Sequence, residues 1–215
     1  MKVAAIIPTY NEEKNIAHVV KSLCESKIVN EIIVIDDGST DTTSERARAL
    51  GVRVICHDQN KGKGIAMRTG AQATDADILF FADADLINFM PYHIEELIGP
   101  VTSGEVGMTI GLRDRGAFLT RLLSCIAPLL GGERALTRDL FLKISGKGGT
   151  DFGIETLMNA YCKKHRILVR SIPLHGVRQV IKERKYGILR GFLARMRMIA
   201  QIIRAEIEVL LRNDL

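Results

Sequence analysis

The sequence is poor in the features that mark nucleic-acid-binding and multidomain proteins. Aromatic residues make up only 5% of the 215 residues, and no basic stripe is interleaved with aromatics, although the net charge is +5. Proteins that bind single strands combine basic grooves with stacking aromatics, so we expect no nucleic-acid partner. No internal repeat or low-complexity linker is present, and 47% of the residues are hydrophobic, which predicts one globular domain with its own core.

Cysteine pairs and long apolar runs are also missing. Four scattered cysteines form no CxxC pair: Cys24, Cys56, Cys125 and Cys162. Free thiols in a reduced, cytosolic compartment are therefore expected. The apolar run at residues 3–7 is too short for a signal peptide and meets Pro8, so we expect it to be a strand. Arg121 interrupts the best candidate for a membrane span, which needs roughly eighteen uncharged apolar residues.

Strand-like and helix-like segments alternate in the first half of the chain. The predicted strands are residues 3–7, 31–35, 52–57 and 78–82, and the helices between them are residues 13–26, 42–50 and 64–74. This alternation predicts an α/β fold, with a mainly parallel sheet and helices on both faces. Functional residues of such sheets gather beyond the carboxyl ends of the strands, where this sequence has polar clusters at residues 9–12, 36–41 and 83–85.

The second half is less regular. We predict a strand at residues 106–111, an apolar segment at residues 118–130 and a helix at residues 151–165. Residues 186–211 have the periodicity of an amphipathic helix, with Ile188 and Phe192 on the apolar side and Arg190 and Arg197 opposite. Such a helix would lie on an anionic membrane surface, or it would dock on the rest of the chain or on a second subunit.

Two pairs of carboxylates follow predicted strands. Asp83 and Asp85 are two residues apart on an extended chain, and hard oxygen ligands at that spacing suit Mg²⁺ or Mn²⁺ carrying a diphosphate. The alternative is a simple turn. Asp36 and Asp37 precede Gly38, and their carboxylates are suited to accept hydrogen bonds from a base or a ribose, whereas helix capping is the expected role of residues 39–41.

Four motifs occur together in register: PTYNEEKN at residues 8–15, DDGSTD at 36–41, NKGKG at 60–64 and ADAD at 82–85. In order and spacing they resemble the family 2 glycosyltransferases over about the first ninety residues. The resemblance implies a GT-A (Rossmann-like) fold, a UDP- or GDP-linked sugar donor, a bound Mg²⁺ or Mn²⁺, and inversion at the anomeric carbon. An NAD-dependent enzyme is excluded, because no glycine follows the first strand before Gly38.

The resemblance also assigns roles to residues of the first half. Three would line the nucleoside pocket: Pro8, Tyr10 and Glu12. Asp37 would contact the base, with Asp36 beside it. Asp83 would lie by the ribose or the metal, and Asp85 would ligate the metal. Lys63, in a flexible GKG turn, would meet the nucleotide or its phosphates, and the alternative is a solvated loop lysine.

The acceptor side is expected in the second half. The segment GTDFGIE resembles the acceptor motif of the family, where Asp151 or Glu155 would be the general base, unless they serve as a helix cap and an ion pair. Arg113 and Arg134 lie in segments similar to those of polyprenyl-phosphate sugar synthases, where cations receive the acceptor phosphate; the alternative is surface arginine. His175 is similar to a metal-ligating histidine of some relatives, including glucosyl-phosphoglycerate synthases, unless it is merely exposed.

These observations predict a metal-dependent glycosyltransferase with a domain at residues 1–180, divided into a nucleotide-binding half (1–90) and an acceptor half (91–180), followed by an amphipathic segment (181–215). The acceptor is expected to be a lipid-linked phosphate, with peripheral contact to the inner face of the membrane. The alternative is a soluble enzyme that acts on a small hydroxyl acceptor such as a phosphoglycerate. A non-catalytic membrane-surface protein of the same fold, and association of several copies, are left open.

Overall fold

The computed structural model describes residues 1–113, 131–146 and 153–179. Its strands are β1 (Val3–Thr9), β2 (Glu31–Asp36), β3 (Arg53–Cys56), β4 (Ile78–Phe81), β5 (Leu86–Ile87), β6 (Met108–Arg113), β7 (Arg134–Thr137), β8 (Val169–Leu174) and β9 (Arg178–Gln179). Its helices are α1 (Ile16–Glu25), α2 (Thr43–Arg48), α3 (Lys63–Gln72), α4 (Pro91–Thr102), α5 (Arg138–Ser145) and α6 (Ile154–Lys164).

Seven of the strands form one sheet in the order β3-β2-β1-β4-β7-β6-β8. The neighbours β3, β2, β1 and β4 are parallel, and β6 is parallel to β8. Only β7 among the described strands of this sheet runs against its two neighbours, β4 and β6. The prediction of a mainly parallel α/β sheet is confirmed, and the pairing of β4 with β7 joins the strands before residue 90 and those after it in one sheet.

Strand β1 shows why helices cover both faces of the sheet. Successive side chains of a strand point to opposite faces. Ala5 and Ile7 belong to the core that packs under α1, α2 and α4, whereas Ala4 and Ile6 belong to the core under α3, α5 and α6. All four side chains are fully buried, so a continuous apolar run in the sequence is one central strand with two buried faces.

The carboxyl ends of the parallel strands meet at one edge of the sheet. Thr9 pairs with Asp36, and Asp36 pairs with Cys56, so β1, β2 and β3 end at nearly the same level. Helix α3 returns tightly over this part of the sheet, because a methyl group on Gly70 would lie 2.4 Å from the Ile6 side chain. The loops after β1 to β4 are thereby collected in a single crevice.

The strand predicted at residues 106–111 and the helix predicted at residues 151–165 correspond to β6 and α6. Helices α4 and α5 and strands β7 and β8 were not predicted. The apolar segment at residues 118–130 and the amphipathic segment at residues 181–215 lie outside the described residues. Within the described ranges, no helix is both long enough and apolar enough to cross a membrane.

Candidate functional site

The loops after β1 and β2 are tied to each other by side chains. Asn11 adopts a positive φ of 53°, its N–H donates to Ser39 Oγ at 2.9 Å, and its Oδ1 accepts from Thr40 N–H at 2.8 Å. Beside this junction, Pro8 is half-buried and the Tyr10 side chain is 43% exposed. Two predicted nucleoside-pocket residues therefore line an open surface at the carboxyl edge of the sheet.

Glu12, the third residue predicted to line the nucleoside pocket, forms hydrogen bonds with nearby residues, as does Asp41 at the start of α2. Glu12 Oε2 accepts from Asn15 Nδ2 at 2.9 Å, and Glu12 N–H donates to Thr43 Oγ1 at 2.9 Å. Asp41 accepts from Thr43 N–H at 3.0 Å at the start of α2. The residue that caps α2 is Thr42, one position after the segment predicted to cap it. These contacts hold the first turns of α1 and α2 beside each other at the edge of the crevice.

Asp36 and Asp37 are both buried, each only 4% exposed. Asp36 Oδ1 accepts from Ser39 N–H at 2.9 Å, which stabilises the turn around Gly38. Asp37 accepts from the backbone N–H groups of Lys61 and Gly62 at 2.9 and 2.8 Å, and His57 Nδ1 lies 2.6 Å from its Oδ1. The Asp37 carboxylate is thus turned towards the loop before α3. These contacts do not test its predicted contact with the base, which stays a prediction.

Lys63, the first residue of α3, joins two carboxylates that are far apart in sequence. Its Nζ lies 2.6 Å from Asp83 Oδ1 and 2.6 Å from Glu155 Oε1. Burial would lower the pKa of the Lys63 ammonium, but Asp83 and Glu155 outweigh that effect and raise its pKa above the ordinary value. Lys63 is thus a permanent cation in the crevice and not a solvated loop lysine. Asp151, the other predicted base, lies outside the described residues.

Asp85 is bound by a side chain from the end of the described chain. Gln179 Nε2 donates to both carboxylate oxygens of Asp85 at 2.9 Å, because β9 pairs with β5 and places Gln179 opposite Leu86. His175 lies in the turn just before β9, and its side chain is exposed. The His175 carbonyl accepts from His93 Nε2 at 3.2 Å. No cluster of three or more metal-binding side chains is assembled among the residues that the structure describes.

The oxygen atoms that these side chains offer as ligands nevertheless suit a hard divalent cation. Asp83 and Asp85 supply carboxylate oxygens at the end of β4, and Mg²⁺ is commonly held by one or two carboxylates together with phosphate oxygens and water. A turn of the Gln179 amide would present its oxygen, instead of its nitrogen, to a cation at Asp85. Two protein carboxylates completed by a diphosphate therefore fit the residues present.

A buried ion pair lies behind Asp83. Arg113 Nη2 lies 3.2 Å from Asp83 Oδ2, and Arg113 Nε lies 3.2 Å from Glu133 Oε2. The Glu133 side chain is fully buried, and neither of its oxygens has a well-formed hydrogen bond to a described residue. Burial raises the pKa of Glu133 to about 7, although Arg113 opposes the shift. Arg113 is thus anchored between two carboxylates with one nitrogen, Nη1, left unbonded within the described part of the chain.

Arg134 is neither a surface arginine nor a residue exposed to an acceptor. Its side chain is fully buried, Nε donates to the Gly131 carbonyl at 3.0 Å, and Nη1 donates to Asn159 Oδ1 at 2.7 Å. These bonds connect the start of β7 with α6. The Arg134 guanidinium is committed to contacts inside the protein, which argues against its predicted contact with an acceptor.

Four site residues were missed in the sequence: His57, Gly132, Glu133 and Gln179. Gly132 is tightly packed, since a methyl group there would lie 2.2 Å from Asp83 Oδ2. The GGE sequence at residues 131–133 offers a signal, because adjacent glycines before a charged residue favour a close approach of the backbone. His57 and Gln179 have no local signal, since their partners lie on other strands and loops.

Comparisons with known proteins agree with this geometry. The model of the family "Glycosyl transferase family 2" matches residues 4–154. A glucosyl-3-phosphoglycerate synthase of Mycolicibacterium paratuberculosis is 30% identical over 214 residues, which cover 82% of this chain and 65% of that protein. The chain thus matches a little under two thirds of the length of this curated relative.

Solved structures of the glucosyl-3-phosphoglycerate synthase of Mycobacterium tuberculosis are also similar. One, a complex with Mn²⁺, UDP-glucose and phosphoglyceric acid, has a TM-score of 0.79 and 28% identity, and covers 97% of this chain and 79% of that chain. Another, a complex with Mg²⁺ and UDP, has a TM-score of 0.69 and 28% identity, and the match covers 90% of this chain and 79% of that chain. The family match over most of the chain, together with the sheet order and the crevice, shows that this chain belongs to glycosyl transferase family 2.

Proposed function

We propose that this protein transfers a hexosyl group from a UDP-linked donor to a hydroxyl of a small phosphorylated acid of the phosphoglycerate type, with Mn²⁺ or Mg²⁺. The observation that carries the proposal is the junction of Lys63 with Asp83 and Glu155 beside Asp85, at the carboxyl edge of the sheet. It is supported by the relatives whose structures contain UDP-glucose, a divalent cation and phosphoglyceric acid.

The metal would be held by Asp85, with Asp83 and His175 as further candidates. When bound, it would neutralise the negative charge that develops on the departing nucleoside diphosphate. Gln179 orients the Asp85 carboxylate through two hydrogen bonds, and such contacts to a ligand carboxylate tune metal affinity. Asp83 is already neutralised by Lys63 and Arg113, so Asp85 is the stronger candidate for the principal ligand.

Lys63 would provide the protein's own positive charge at the leaving group. Its raised pKa keeps the ammonium charged at every physiological pH, and its position between Asp83 and Glu155 supports a contact with the donor. Pro8, Tyr10 and Glu12 would form the nucleoside end of the same crevice, with Asp36 stabilising the turn beneath them. Preorganised charges of this kind stabilise transition states more than equivalent charges in water.

The acceptor hypothesis changes in the light of the comparisons. The relatives favour the hydroxyl acceptor, which was the alternative, over the lipid-linked phosphate that was the main expectation. The amphipathic segment that motivated a membrane contact lies outside the described residues, and it carries no weight here. Arg113 remains the candidate cation for an acceptor phosphate, since one of its nitrogens has no hydrogen bond to a described residue.

The stereochemical course tests the predicted general base. Inversion, which the family resemblance implies, requires a base to deprotonate the acceptor hydroxyl, and Glu155 and Asp151 are the candidates. Glu155 is bound to Lys63, so it would have to exchange that partner for the acceptor. The anomeric configuration of the product, read by NMR coupling constants, decides the matter: a retained configuration would contradict inversion and the placement of the base opposite the departing diphosphate.

The function is tested by incubating the full chain with Mn²⁺ and a panel of UDP- and GDP-linked hexoses. The acceptors would be 3-phosphoglycerate in one arm and polyprenyl phosphate in vesicles in the other, with release of nucleoside diphosphate as the readout. We expect turnover with a UDP-hexose and 3-phosphoglycerate that EDTA abolishes. Turnover with the polyprenyl phosphate alone would restore the lipid hypothesis, and no turnover with any pair would contradict the proposal.

A further inference from the structure

The loop between β3 and α3 is held by a buried cluster that no sequence motif marks. His57 follows β3, and its side chain is only 7% exposed. Its Nδ1 lies 2.6 Å from Asp37 Oδ1, and its Nε2 lies 3.0 Å from Thr69 Oγ1 in α3. Because an ionised carboxylate only accepts hydrogen bonds, Nδ1 carries the proton that faces Asp37. His57 therefore connects the end of β2 to the body of α3.

Asp37 extends this connection to the backbone immediately before Lys63. Its two oxygens accept from Lys61 N–H at 2.9 Å and from Gly62 N–H at 2.8 Å. Gly62 has a positive φ of 94°, a conformation that glycine adopts at no steric cost, and it precedes the first residue of α3. Asp37 thus determines the direction in which the chain enters the helix at Lys63.

Close packing confirms that the loop has little freedom at this point. Gly38 has a positive φ of 77°, and a methyl group on it would lie 2.7 Å from the carbonyl carbon of Gln59 and 2.8 Å from Asn60 N. The turn after β2 is therefore pressed against the loop after β3. Any displacement of Asp37 would be transmitted to residues 59–62 and to the helix that they start.

We propose that His57, Asp37 and Thr69 form a latch that positions the Lys63 ammonium at the donor site, which makes His57 and Asp37 positioning residues for the transfer reaction. Lys63 has two carboxylate partners at 2.6 Å, and an ammonium placed this closely loses effect when its backbone shifts. This inference rests on the proposed function only in its catalytic consequence, since the latch itself is defined by contacts inside the protein. It also gives Asp37 a role that needs no contact with the base.

The latch is tested by comparing the wild-type chain with His57→Leu, which keeps the ring's volume approximately and removes both hydrogen bonds. The first readout is amide hydrogen exchange of Lys61 and Gly62, whose N–H groups are bonded to Asp37. We expect exchange to be at least about 10-fold faster in the variant, because the opening of one hydrogen-bonded loop becomes easier. Unchanged exchange would overturn the latch whatever happens to activity. His57→Asn, which restores a donor near Asp37, should return the exchange rate towards that of the wild type.

The second readout is the affinity for UDP in the presence of Mn²⁺, measured by calorimetry in a cycle with Lys63→Met. If His57 acts through Lys63, the loss of affinity in His57→Leu, expected to be about 10-fold, should largely disappear in the Lys63→Met background. An equal loss in both backgrounds would contradict positioning of Lys63. If the wild-type chain does not bind UDP at all, the proposed function fails, whereas the exchange experiment still tests the latch.

Discussion

Lys63 Nζ lies 2.6 Å from Asp83 Oδ1, and this contact links the start of α3 to the segment that follows β4. The ion pair holds a permanent cation against Asp83, the first of the two carboxylates that follow β4. In the proposed reaction, positive charge at this point would oppose the negative charge that develops on the leaving diphosphate.

The first prediction concerns Lys63 itself. We expect Lys63→Met to lower kcat for hexosyl transfer by about 10²–10³-fold, because one preorganised cation is lost from the developing charge. Kinetics with UDP-glucose and 3-phosphoglycerate check this value. The matched control is Lys61→Met, which removes an exposed lysine two residues earlier and should change kcat little. Similar losses in both variants would mean that general positive charge, not the position of Lys63, matters.

The second prediction concerns the metal. We expect Asp85→Asn to weaken Mn²⁺-dependent binding of UDP by at least about 100-fold, since the charged oxygen ligand proposed for the cation is replaced by a neutral amide. The binding is measured by calorimetry with and without Mn²⁺. Asp58→Asn, an exposed carboxylate in the loop after β3, is the control. Normal Mn²⁺ dependence in Asp85→Asn would place the metal elsewhere.

The third prediction concerns the close approach of Gly132 to Asp83. A methyl group on Gly132 would lie 2.2 Å from Asp83 Oδ2, so Gly132→Ala must displace the carboxylate or the backbone. We expect it to cost about 1–3 kcal/mol of stability and to lower kcat/KM by roughly 10²-fold.

The control for that substitution is another glycine. A methyl group on Gly99, in α4, would meet no atom within 4 Å apart from its neighbours in the chain, so Gly99→Ala should leave activity unchanged. No gain in stability is expected, because Pro100 follows Gly99 and disfavours a helical residue that carries a Cβ atom. Thermal unfolding and steady-state kinetics of both variants make the comparison. Full activity in Gly132→Ala would show that the site tolerates a shifted Asp83.

The fourth prediction is a pH dependence of stability that originates at Glu133. Its pKa rises from the ordinary value of 4.5 to about 7 in the folded protein, because burial disfavours the ionised carboxylate. The folded state therefore holds the proton more tightly than the unfolded state does. The stabilisation is complete below pH 4.5 and is lost as the pH rises through about 7, by up to about 3 kcal/mol.

Urea unfolding between pH 5 and 8 measures this dependence. Glu133→Gln should lack that part of the slope, because an amide does not titrate. The control is Glu105→Gln, since the Glu105 side chain is 55% exposed and binds Arg170 on the surface. An identical slope in the wild type and in Glu133→Gln would show that Glu133 stays ionised beside Arg113.

The sequence by itself determined the parallel half of the fold and its polar edge. Strands β1, β2 and β4 are short apolar runs, and each is followed by acidic or amide residues within a few positions, so their chemistry is local in the chain. The register of four motifs was sufficient to identify the family. The same local information predicted β6 and α6, since apolar periodicity survives where turns are hard to recognise.

Only the tertiary structure decided which residues share the site. Glu155 reaches Lys63 across 92 residues, and Gln179 reaches Asp85 across 94, and no periodicity encodes such contacts. Strand β7 is inserted against the direction of its neighbours, which buries Arg134 and Glu133, two charged residues that composition alone places at the surface. The physical reason is that burial and pairing of polar groups depend on which strands become neighbours, and that choice is made by packing of the whole sheet.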